Sequence, residues 1–131
     1  CSVRRQRQMC IRDSINLIAI LDSEDAIKEL NPDFNKLINL EGQGLIVTAQ
    51  SNEYDFVSRY FCPKYGINED PVTGSAHTSL IPYWSERLKS SELVAKQVSD
   101  RGGVLYCINQ DTRVLISGKA VLYMKGEIKL S

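Results

Sequence analysis

The chain has 131 residues, 43% hydrophobic and 24% charged, which is the composition of one ordinary globular domain and excludes a disordered or fibrous chain. Its sixteen basic and sixteen acidic residues cancel, which argues against a nucleic-acid footprint, since that needs a basic surplus on one face. The longest apolar run, Leu17 to Leu21, falls far short of the roughly 18 residues of a membrane span.

Residues 1–14 (CSVRRQRQMCIRDS) differ in composition from the rest of the chain. Arg4, Arg5, Arg7 and Arg12 face Asp13 alone, and the remainder carries 12 basic against 15 acidic residues. No apolar stretch follows these charges before Ile15, so no export signal is read. The aromatic and leucine face of a membrane anchor is also missing. The string resembles the reading frame that sequencing adapters add to assembled contigs. It is expected to be non-native or disordered, with an ordinary basic tail as the alternative, and the domain proper is 15–131. Cys1 and Cys10 therefore stay outside any disulfide argument. Cys62 and Cys107 lack C-x-x-C spacing and read as free, buried thiols of a cytoplasmic protein.

Ile15 to Leu21 (INLIAIL) predicts a buried strand. Asp22 opens a helix with Glu24 and Asp25 in its first turn, and that helix stops before Asn31-Pro32. Asp33 to Leu40 predicts a second short helix, and Gly42 and Gly44 a turn. Strands are expected over Gly44 to Gln50 and Phe56 to Cys62, joined by the polar turn Ser51 to Asp55. Pro63 to Thr73 reads as an eleven-residue loop, long enough to suggest a functional one. Gly74 to Leu88 is the best helix, with Ala76, Leu80, Trp84 and Leu88 on one stripe and a kink expected at Pro82. Leu93 to Leu130 predicts successive antiparallel strands, with turns at Arg101-Gly102, Gln110-Asp111, Gly118 and Lys125-Gly126.

One loop carries candidate chemistry. In Glu69-Asp70-Pro71-Val72-Thr73-Gly74-Ser75-Ala76-His77 a helix start offers unpaired amides and a partial positive charge, which suit a carboxylate or phosphate. Gly74 admits a ligand close to the backbone. Thr73 and Ser75 each bring a hydroxyl for capping or for ligand contact. Asp70, held by Pro71, is aimed at the same mouth. An anion cradle beside a carboxylate is an arrangement for proton transfer. The same residues also read as a turn followed by a helix cap, and both readings stand at this level. There is no Walker loop and no dinucleotide fingerprint.

The run SRYFCPKYGINEDPVTGSAH (Ser58 to His77) resembles the signature of the phenazine-biosynthesis-like (PhzF-type) isomerases. QVSDRGGVLYCINQDTRVLISGKAVLYMKGEI resembles that family's closing hairpins. The resemblance implies an α+β, diaminopimelate-epimerase-like fold. Each of its two lobes is a curved, mostly antiparallel sheet wrapped around a central helix, here Gly74 to Leu88. It implies proton shuttling without a cofactor or metal on a small carboxylated metabolite; the best-known member isomerises a dihydro-hydroxyanthranilate. Carried over by position, Asp70 and Ser75 are the catalytic candidates. Thr73, Gly74, Ser75 and Ala76 are the substrate-binding ones, through hydroxyls and backbone amides. Related epimerases use a cysteine base in this region, but Cys62 reads as too far upstream to serve.

His77, the only histidine, reads as structural or supporting. Arg59 reads as pairing with Asp70 or Glu69 or as a solvated strand arginine, and Glu69 as a neighbour of the site. Trp84 and Tyr83 read as core and flank of the central helix.

A complete family member is about twice as long and carries a first-lobe glutamate acid/base in a stretch containing Gly-His. Glu24, Glu29 and Glu41 sit in no such motif. The chain is therefore expected to be the C-terminal lobe of an isomerase, inactive alone, whose partners are the missing N-terminal lobe and, for the whole protein, a second copy. The alternatives are a non-catalytic, small-anion-binding lobe of a degenerate homologue and, more weakly, a structural interaction domain.

Overall fold

The computed structural model describes residues 9–12 and 15–131. The elements in order are β1 (Met9–Arg12), β2 (Leu17–Ile20), α1 (Glu24–Glu29), α2 (Phe34–Leu37), β3 (Leu45–Gln50), β4 (Phe56–Phe61), β5 (Glu69–Asp70), α3 (Gly74–Leu88), β6 (Glu92–Gln97), β7 (Gly103–Asn109) and β8 (Val114–Ser117). The proposed boundary segment 1–14 contributes β1, which pairs antiparallel with β2. Residues 1–8 and 13–14, where the rest of that expectation falls, lie outside the described residues.

The strands form one sheet in the order β1-β2-β3-β4-β6-β7-β8, with β5 added to one end of β4. Five of the strand pairs are antiparallel. Two, β2 with β3 and β4 with β6, are parallel, because helices make those crossovers. The fold is thus the expected α+β arrangement, with a second helical layer that the sequence reading left out.

One face of the sheet carries α3. Ala76, Leu80, Ile81 and Trp84 pack there against Ile18, Ile46, Phe56, Tyr60, Leu93, Ala95, Leu105 and Cys107. Trp84 stacks on Phe56 at 5.6 Å and donates its indole N–H to Thr48 Oγ1 at 3.0 Å. The opposite face carries α1 and α2, whose Ile27, Phe34 and Leu37 cover Val47, Ala49, Val57 and Phe61. This strict alternation along β4 assigns Tyr60 to one helical layer and Phe61 to the other.

Local rules account for the helix ends, with corrections. Ser23 rather than Asp22 caps α1, its hydroxyl accepting from the Ala26 amide at 3.1 Å. Asp33 caps α2. The expected Pro63 to Thr73 loop is partly structured: a 3-10 turn at Pro63–Tyr65 precedes β5. Helix α3 runs without a break across Pro82 and ends at Lys89 in a left-handed conformation. The strands expected beyond Gly118 are not formed, and residues 118–131 carry no regular structure.

Cys62 and Cys107 are free and buried. Among the described residues no helix is long and apolar enough to cross a membrane, and no three His, Cys, Asp or Glu side chains gather to hold a metal ion.

Candidate functional site

The loop Asp70–Thr73 is clamped between β5 and the β6–β7 turn, and the clamp decides where the candidate groups stand. The fully buried Gln97 side chain accepts from the Thr73 amide at 2.8 Å. It donates from Nε2 to the Asp70 carbonyl at 2.8 Å and to Thr73 Oγ1 at 3.0 Å. Ser99 donates to the Pro71 carbonyl at 2.6 Å. Val72 packs on Gly103 so closely that a Cβ there would lie 2.5 Å from its methyl group. Gly103 is therefore glycine to seat the loop.

Asp70 is half-buried, and its Oδ2 accepts a hydrogen bond from Thr73 Oγ1. Its other oxygen has no partner among the described residues. Thr73 thus spends its hydroxyl on Asp70 and Gln97 and does not cap the helix behind it. The first-turn amides of Gly74, Ser75 and Ala76 have no intrahelical acceptor. Gly74 and Ser75 are exposed, while the Ala76 side chain is core. A Cβ on Gly74 would meet nothing within 4 Å. The chain's own packing therefore does not require glycine there, and the bare backbone faces open space.

That space is a cleft of about 610 Å³ lined by Val72, Gly74, Arg101, Leu105, Ile116 and Lys119, among others. Arg101, Lys119 and the N-terminus of α3 border it, a lining whose charges favour an anion. Of the candidate residues Gly74 lines this cleft, and Asp70 is tied to the start of α3 through its bond from Thr73. None of the bonds that hold the loop uses the Ser75 hydroxyl.

Arg59 and Glu69 belong to the other face. The Arg59 guanidinium makes two 2.8 Å bonds to the Glu69 carboxylate and donates to the carbonyls of Ile27 and Leu30 at the end of α1. In the register Tyr60 opposite Asp70 and Phe61 opposite Glu69, Glu69 points toward the α1 layer and Asp70 toward the α3 layer. Arg59 therefore anchors β5 and does not touch Asp70.

His77 is fully buried beside Phe56, with Nδ1 2.7 Å from the Thr73 carbonyl. Nδ1 therefore carries the proton, and Nε2 is left without a partner. Burial pushes its pKa below the ordinary 6.5, against the smaller pull of the Thr73 carbonyl. A ring that stays neutral inside cannot follow the unfolded chain when that chain protonates. Stability should therefore hold above pH 6.5 and fall as the pH drops below it toward the lower folded pKa. Thermal unfolding from about pH 7.5 to about 5.5 should show this slope, and His77→Gln should flatten it, since most carboxylates titrate below that window.

One expectation is corrected in space. The β4–β5 pairing sets Asp70 opposite Tyr60, two residues before Cys62, which bonds through its own amide to the Asn68 carbonyl. Burial raises the Cys62 pKa and the nearby Asp70 charge adds to it. The residue is thus adjacent to the site, not distant from it, but it holds its proton and is a poor base. Sequence reasoning missed Gln97, Ser99, Arg101 and Lys119. The available signal was a glutamine on the buried phase of an alternating strand leading into a Gly-Gly turn.

The phenazine biosynthesis-like protein family model matches residues 8–126. The chain belongs to this family. It is 52% identical over 115 residues to an uncharacterized isomerase of Pseudomonas aeruginosa, covering 88% of this chain and 44% of that one. It is 47% identical over 121 residues to another of Halalkalibacterium halodurans, covering 91% and 46%. A solved phenazine biosynthesis PhzC/PhzF protein of Clostridium difficile superposes with a TM-score of 0.81 at 49% identity, covering 90% of this chain and 46% of that one. The chain thus spans less than half the length of these PhzF-family relatives.

Proposed function

We propose that this chain is the C-terminal lobe of a cofactor-independent isomerase that moves a proton on a small carboxylated substrate. The observation that carries the proposal is the junction of Asp70 with the uncapped start of α3. Thr73, the residue that precedes α3, bonds one oxygen of the carboxylate and leaves the first-turn amides without a side-chain cap. Amides and cations would hold the substrate carboxylate, with Arg101 and Lys119 at the rim of the cleft. That anchoring presents an adjacent C–H or ring carbon to the free Asp70 oxygen, which gives or takes the proton. The second acid/base group would come from the first lobe, outside this chain, so the lobe alone should be inactive. The isomerase names of the Pseudomonas and Halalkalibacterium relatives support the reaction class.

The competing proposal is a lobe that grips a small anion without turnover, which the open helix start bordered by Arg101 and Lys119 would equally serve. Deuterium incorporation separates the two. In D2O with a dihydro-hydroxyanthranilate, the full-length Pseudomonas relative should incorporate deuterium, as read by NMR, and the 131-residue chain should not. Incorporation by the 131-residue chain contradicts the half-site account, and none by the full-length protein favours the binding lobe.

A further inference from the structure

Gln97 is fully buried on β6, opposite Ser58 on one side and Gly103 on the other. A buried side-chain amide is costly unless its polar atoms are bonded. All three of its bonds go to the segment Asp70–Thr73. Its orientation is not free. The Thr73 backbone amide can only donate and the Asp70 carbonyl can only accept, so Oε1 must face the first and Nε2 the second. A flipped amide would set donor against donor and acceptor against acceptor. The second Nε2 hydrogen then goes to Thr73 Oγ1 at 3.0 Å.

This fixes the direction of the next bond. A threonine hydroxyl has one hydrogen. Because Thr73 Oγ1 already accepts from Gln97, its own hydrogen is left for Asp70 Oδ2, the acceptor within reach. Thr73 is buried, and its backbone is held from both sides, the amide by Gln97 and the carbonyl by His77 Nδ1. Only the hydroxyl could still turn, and Gln97 stops it. Oδ2 therefore accepts, and a proton placed on it toward Thr73 would meet the Thr73 hydrogen. A proton on Asp70 is thereby directed to Oδ1. The hydroxyl also bonds the carboxylate more strongly than it bonds the neutral acid.

We infer that Gln97 is a positioning residue for the proton transfer: through the Thr73 hydroxyl it keeps one hydrogen bond aimed at Asp70 Oδ2 and confines proton traffic to Oδ1. The inference rests on the isomerase reading proposed above and names the atom that carries the proton in it. When Asp70 takes the proton, the substrate C–H bond breaks, its electron pair stays on the substrate, and the proton bonds to Oδ1. When Asp70 gives it back, the Oδ1–H bond breaks, a C–H bond forms at another carbon, and the carboxylate is restored. Gln97 touches neither the substrate nor the moving proton. It acts on Asp70 through one hydroxyl.

A double-mutant cycle in a full-length chain carrying this lobe tests this, read as rates of deuterium incorporation. Thr73→Val keeps the backbone bond to Gln97 and removes only the hydroxyl. Gln97→Glu still offers an oxygen to the Thr73 amide, but it replaces the donor at Thr73 Oγ1 by an acceptor that competes with Asp70 for the hydroxyl hydrogen. Each should lower kcat about tenfold or more, the scale of one hydrogen bond to a charged group, with KM little changed. The double variant should be no slower than the slower single one, because both act through the same hydroxyl. Losses that multiply make Gln97 a clamp of the loop alone and overturn the inference, as does an unchanged kcat in Thr73→Val. Should Gln97→Glu fail to fold, NMR of the unsubstituted 131-residue chain decides. The Thr73 hydroxyl proton should exchange about a hundredfold more slowly than in an unstructured peptide and lie close to the Gln97 Nε2 protons; exchange at the unprotected rate overturns the inference. No incorporation by the unsubstituted full-length protein removes the isomerase reading and with it the role of Gln97. Incorporation that Thr73→Val leaves unchanged keeps the isomerase and removes only that role.

Discussion

Replacing Asp70 by asparagine in a full-length chain carrying this lobe should lower kcat by about 10²–10⁴, the range a positioned acid/base group supplies. KM should change little, because the amides of Gly74, Ser75 and Ala76 and the cations Arg101 and Lys119 keep the substrate carboxylate in place. The asparagine is close in shape, and its carbonyl can still accept the hydrogen bond that Thr73 gives Asp70. The Gln97 bond to the backbone at this position is untouched. The variant therefore removes the proton carrier and leaves the loop. Initial rates of deuterium incorporation at several substrate concentrations measure both constants. A loss confined to KM would move Asp70 from proton transfer to binding.

Replacing Trp84 by alanine should cost about 3–5 kcal/mol, the range for deleting a large buried aromatic. The side chain is 1% exposed. It stacks on Phe56 with an interplanar angle of 9° and meets Tyr83 edge-on at 5.1 Å. It also gives Thr48 Oγ1 its indole hydrogen, while Thr48 donates to the Val57 carbonyl at 2.7 Å. Alanine thus opens a cavity at the point where α3 meets β3 and β4. Against a total stability of about 5–15 kcal/mol for a domain, that loss should move the urea midpoint far down. The slope of the transition should stay the same, since the surface exposed on unfolding hardly changes. Trp84→Phe keeps the ring stack and should lose much less. A small effect of alanine would mean that α3 does not sit on the sheet through this residue.

What the sequence made legible was local. Helix α3 begins at Gly74 and ends at Leu88 as its apolar spacing and flanking loop predicted, and Asp70 is bonded by Thr73 just before it. What escaped was non-local. Cys62 and Asp70 are eight positions apart in sequence, and only the β4–β5 pairing makes them neighbours. Gln97 belongs to a strand that reaches the loop through the parallel pairing of β4 with β6, a register no local pattern encodes. The second helical layer escaped because α1 and α2 are too short to advertise a face. Glu69 sits beside Asp70 in sequence, yet strand alternation sends it to Arg59 on the opposite face. The C-terminal segment is the inverse case. Its alternation reads as a strand, yet residues 118–131 carry no regular structure.

The central claim is that the start of α3 is an anion cradle served by Asp70, and an amide-resolved NMR titration of the 131-residue chain with benzoate tests it most directly. The account predicts saturable shifts centred on the amides of Gly74, Ser75 and Ala76, with smaller ones at Asp70 and Arg101. Shifts centred elsewhere, or a uniform drift with no saturation, would contradict it.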